Sequence, residues 1–84
     1  MHPALKRMCD RFPMLGEQAV ARFASDESFR DLCEDYDTCA ATLTHLESSA
    51  SPPEGIVVEY TALLLRLEHE VLRLLEQRRY RGES

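Results

Sequence analysis

Cys33 and Cys39 stand six residues apart, and His45 six further on, in the acidic run CEDYDTCAATLTH. Two thiols and an imidazole in so short a stretch raise two chemistries, ligation of a soft metal ion and thiol–disulfide exchange. Helical geometry weighs against both. Residues six apart lie about 240° apart around a helix, and residues twelve apart about 120°, so the three side chains point in three directions. One helix offers two ligands to one ion at spacings of three or four. The roughly 9 Å of rise between Cys33 and Cys39 also exceeds disulfide reach. Cys39 is therefore expected as a small buried hydrophobe, Cys33 at the flank of the apolar seam, and His45 facing water.

Glu68-His69-Glu70 is the other dense cluster. Consecutive residues fan around a helix and do not grip one ion, so the cluster reads as a solvated face, with Glu70–Arg73 and Glu76–Arg79 as helix pairs. The sequence holds no Ser/His/Asp arrangement, HExxH, glycine-rich phosphate loop or CxxC pair, and neither catalysis, a metal nor a cofactor is expected. Arg78-Arg79-Tyr80-Arg81 offers charge and stacking to RNA. Its plainer role is a run of cations at a helix C-terminus, where the dipole favours them. A thiol or metal sensor using Cys9 or Cys33 across a subunit interface stands as the alternative function.

At 84 residues the chain is bounded to one small domain, 1–84, whose core is modest. Ten basic against fifteen acidic residues leave a net charge of −5, which opposes attraction to phosphates and to anionic membranes. No nucleic-acid or membrane partner is expected. The start MHPALKRMCDRF lacks a secretory apolar run, and no segment reaches the roughly 18 apolar residues of a membrane span. With an odd number of cysteines, Cys9, Cys33 and Cys39, this points to reduced thiols and a cytoplasmic location. Charge is unevenly distributed: Asp26, Glu27, Asp31, Glu34, Asp35, Asp37 and Glu47 face Arg30 alone in 26–47, whereas 66–81 is mildly basic.

Three helical segments are predicted to position these groups. The first spans about 10–24, with Phe12, Leu15, Ala19, Val20 and Phe23 at helical spacing and Pro13 tolerable only in its first turn. A start near Pro3 with a kink at Pro13 is the other reading. The second, about 27–48, is capped by Ser25-Asp26 and carries the heptad pairs Phe29/Leu32, Tyr36/Cys39 and Leu43/Leu46. The third, about 52–79, opens on Ser51-Pro-Pro-Glu54 as a capping box and carries Val57/Tyr60, Leu64/Leu67 and Val71/Leu74.

If the second and third segments fold back on each other, one register pairs Phe29 with Leu74, Leu32 with Val71, Tyr36 with Leu67, Cys39 with Leu64, Leu43 with Tyr60, and Leu46 with Val57. Its point of reversal falls at Ser51-Pro52, where the turn signals also lie. A second apolar stripe on the third segment, Val58, Leu65, Leu72 and Leu75, requires a further neighbour.

The run FPMLGEQAVARFASDESFRDLCEDYDTCAATLTHLE resembles the YdcH-like family of small uncharacterised bacterial helical-hairpin proteins. Phe12-Pro13, Ser25-Asp26, Phe29, Leu32, Tyr36, Leu43, Leu46 and Glu47 carry the resemblance, joined by Leu67 and Glu70 further on. Glu68 and His69 depart from the family's Leu-Lys-Asp-Glu, and Cys33 and Cys39 stand where apolar residues are usual. The resemblance implies a hairpin and no established activity or ligand.

The resulting expectation is an all-α chain: an antiparallel helical hairpin with a short N-terminal helix, dimerising into a helical bundle. It would work as a noncatalytic interaction protein or adaptor, self-associating through apolar helix faces and showing an acidic surface to a protein partner. The residues expected to carry this are Val58, Leu65, Leu72 and Leu75 for the apolar stripe, and Asp31, Glu34, Asp35 and Asp37 for the acidic face.

Overall fold

A computed structural model describes the backbone of residues 1–83 and side chains through Glu76. The Arg78–Arg81 cluster read above as a possible RNA contact lies outside the described side chains. The described chain is all-α, with four helices: α1 (Pro3–Arg11), α2 (Gly16–Ser25), α3 (Glu27–Glu47) and α4 (Glu54–Glu83), plus a 3₁₀ turn over Pro13–Leu15.

The N-terminal region differs from the single segment expected over 10–24 and follows the other reading in starting at Pro3 and breaking at Pro13, with a full break in place of a kink. Two helices stand there, because Pro13 forces the residue before it out of the α region. Phe12 accordingly adopts φ −127° and ψ 68°, α1 stops at Arg11, and the chain restarts through the 3₁₀ turn. At the other end of α1, Pro3 fills the first turn and the His2 imidazole accepts from the Ala4 amide through Nδ1 at 3.0 Å. That bond satisfies one amide that the helix leaves without a partner.

Asp26 joins α2 to α3 in one residue. Its backbone is extended at φ −130° and ψ 106°, its amide closes α2 onto the Arg22 carbonyl at 2.8 Å, and its carboxylate accepts from the Phe29 amide at 3.2 Å. The Phe29 amide bond, foremost, together with Arg22, holds that carboxyl below the usual range despite some burial. The cap anticipated at Ser25-Asp26 thus falls on Asp26.

The third predicted segment begins two residues later than expected, at Glu54. Pro53 bars Pro52 from the α region, so Ser51 does not cap the helix. Its amide instead donates to Ser49 Oγ at 3.4 Å. The first α4 bond runs from the Val57 amide to the Pro53 carbonyl at 3.0 Å.

α3 is the central element and touches α1, α2 and α4. The core gathers Ala4, Leu5 and Met8 of α1, Ala19 of α2, Phe29, Cys33 and Tyr36 of α3, and Val71 and Leu75 of α4. Every α4 residue in that cluster comes from its C-terminal half. At 30 residues, α4 is roughly 45 Å long, against a longest molecular dimension of 50 Å. Its N-terminal half therefore extends beyond the part of the molecule that α1 and α2 cover.

Candidate interaction surface

The site is built outward from one buried polar knot. Glu68 of α4 is only 8 % exposed, contrary to its reading as part of a solvated face. Arg11, the last residue of α1, grips it with two parallel bonds, Nε to Oε2 and Nη2 to Oε1, each 3.0 Å. The Tyr36 hydroxyl of α3 donates to Oε2 at 2.7 Å. Three helices thus meet at one carboxylate, and the fork geometry fixes α1 in direction as well as in position.

Electrostatics follow from that enclosure. Burial pushes the Glu68 carboxyl up, but the Arg11 hydrogen bonds and charge, with the Tyr36 bond, outweigh it and hold the group below the usual carboxylate range. The Tyr36 hydroxyl is pushed up to about 12, first by burial and then by its bond to Glu68 and that residue's charge. Arg11 is raised chiefly by its bond to Glu68 and by the Glu68 charge. At neutral pH the knot therefore holds an ionised Glu68, a protonated Arg11 and a neutral Tyr36. None of the three is a poised acid or base.

The cysteines take places that chemistry makes quiet. Cys33 is fully buried in the core, correcting its expected position at the flank. Burial above all, then the nearby Cys9 and Glu34, pushes its thiol up to about 12, far from the thiolate a nucleophile or metal ligand requires. Cys39 is buried and raised by burial, and its thiol approaches the Tyr60 carbonyl at 3.6 Å. Cys9 is half-buried and His45 exposed. Among the described residues, no group of three or more His, Cys, Asp or Glu is placed to hold a metal ion.

The apolar stripe expected as a docking surface divides in two. Leu75 is 1 % exposed and belongs to the core, because α1 and α2 pack around that end of α4. Leu72 is half-buried. Val58 and Leu65 are 66 % and 53 % exposed, and Ile56 and Leu63 are exposed on the other flank of the helix, about 200° around. The acidic set divides as well. Asp31, Glu34 and Asp35 are exposed and, among the described residues, make no ion pair. Asp37 is half-buried and bonded by Arg7 Nε of α1 at 2.6 Å.

Sequence reasoning missed Glu68 and both arginines of α1. The available signal was Glu68 itself, an acid flanked by Leu67 and Val71 on a helix already rich in apolar residues. Its partner Arg11 lies 57 positions away, and no helical spacing connects two separate helices.

No helix of the described residues is long and apolar enough to cross a membrane. No family model matches the chain, and neither the curated proteins nor the solved structures contain a match to it.

Proposed function

We propose that this chain is a noncatalytic interaction protein, an adaptor that self-associates through apolar helix surface and offers the acidic outer face of α3 to a basic, amphipathic protein segment in the cytoplasm. Its scaffold is an antiparallel hairpin of α3 and α4. Tyr36 of α3 reaches Glu68 of α4, and Cys39, one turn further on, reaches Tyr60, so steps forward along one helix match steps back along the other. The resemblance of Phe12–Glu47 to YdcH-like hairpin proteins belongs to the same reading.

The observation that carries it is the exposure of Ile56, Val58, Leu63 and Leu65 on one half of α4. Ile56 and Leu63 lie about 20° apart on one flank of the helix, and Val58 and Leu65 about 20° apart on the opposite flank. Each pair left in water loses its burial free energy until another surface covers it. Asp31, Glu34 and Asp35 contribute encounter rate and selectivity more than affinity.

Two measurements test the reading. Sedimentation across a wide concentration range is expected to show reversible self-association. Titration with a fluorescent basic amphipathic peptide is expected to show binding that weakens with salt and with Asp31→Lys, Glu34→Lys and Asp35→Lys together. A peptide that ignores the triple variant would remove the acidic face from the proposal.

A further inference from the structure

On α4, Val58, Ala62, Leu65, His69 and Leu72 recur at alternating steps of four and three, the spacing of a helix that packs along a second helix. This line is separate from the one buried against α3. Ala62 lies nine residues before the buried Val71, about 180° around the helix. Val58, Ala62 and Leu65 are exposed.

One edge of the line carries Glu59 and Arg66, which are exposed and, among the described residues, form no salt bridge within the chain. Seven residues separate them, roughly 10 Å along the axis and about 20° around it. They cannot meet in one helix, yet they share an edge and have opposite charge. An edge of that kind is complementary to itself when turned end for end, because antiparallel helices bring like edges together.

We infer that the exposed N-terminal half of α4 pairs antiparallel with the same half of a second copy, around a two-fold axis near Leu63–Leu64. This rests on the self-association proposed above and specifies its surface, register and symmetry. In this register small Ala62 of each copy packs against large Leu65 of the other, which allows close approach without a void. Glu59 of each copy comes within reach of Arg66 of the other, and the two-fold axis repeats that contact, as an isologous interface requires. Leu72 lies beyond the paired segment, at the margin of the folded core.

Sedimentation velocity on the full chain, with circular dichroism to confirm helicity, tests the register. Leu65→Glu is expected to abolish the dimer. Glu59→Arg and Arg66→Glu each set like charges opposite one another and are expected to weaken it about five- to tenfold, from the modest worth of exposed pairs counted twice. The double exchange restores opposite charges and is expected to recover near wild-type affinity. A dimer indifferent to Leu65→Glu, or a double exchange weaker than either single variant, overturns the register while self-association stands. A chain monomeric at every concentration overturns both, and leaves the acidic face to be judged by the peptide titration.

Discussion

Glu68 shows how one residue changes its meaning once its neighbours are known. Because its folded carboxyl lies below the usual value of 4.5, its contribution to stability is fully present above that pH and is lost as pH falls through the lower folded value. Arg11→Ala removes the hydrogen bonds and charge that do most to lower the carboxyl, leaving burial opposed by the Tyr36 bond and the His69 charge. The folded carboxyl then moves up toward or past its unfolded value, so the stability lost on acidification is expected to shrink. Urea midpoints for wild type and Arg11→Ala between pH 3 and 7 check this, and matching slopes would refute it. Tyr36→Phe removes one bond while Arg11 keeps the carboxylate partnered, and is expected to cost about 1–2 kcal/mol. Cys33 yields a kinetic prediction. A disulfide reagent at pH 8 is expected to titrate half-buried Cys9 first and to reach Cys33 only on unfolding, and equal rates would contradict its burial.

At the scale of elements, proline and aspartate positions decide where helices begin and end. Pro13 divides the N-terminal region into α1 and α2, and Pro53 delays α4 by two residues, in both cases through the residue that precedes it. Pro53→Ala lifts that restriction on Pro52, and is expected to let Ser51 cap a longer helix, seen as helical carbon chemical shifts at residues 52 and 53. Gly55 lies in the first turn of α4 with nothing within 4 Å of an added methyl group. Gly55→Ala is therefore expected to raise stability by about 0.5–1 kcal/mol in urea denaturation, by restricting the unfolded chain without a native clash. These boundaries were partly legible in advance. The cap at Asp26 and the span of α3 follow from local chemistry. The paired prolines were visible too, but the clash between them outranked the capping-box pattern.

At the scale of the whole molecule, α1 and α2 determine which face of each long helix is dry. The heptad repeats placed Leu32, Leu67 and Leu74 in the seam, yet those three are only half-buried. Phe29, Tyr36, Cys39 and Val71 of the same seam are buried. So are Cys33, Glu68 and Leu75, each one position beyond one of those three leucines and about 100° further around the helix. A pair of helices alone would bury the line between them. A third layer on one side draws the dry line toward itself, and Met8 and Leu5 of α1 supply that layer. Met8→Ala is expected to cost about 2–5 kcal/mol, as loss of a fully buried side chain does, and to lower the thermal midpoint without loss of helicity at low temperature. Helix type, the long amphipathic spans and the acidic character of α3 were determined by the sequence itself, because periodicity, capping and charge are local properties. The burial of Glu68 and Cys33, the division of the α4 stripe into a covered end and an exposed half, and the tie of Asp37 to Arg7 were decided only by tertiary structure. Each depends on where a distant helix comes to rest, and contacts between separate helices follow no fixed spacing along the chain.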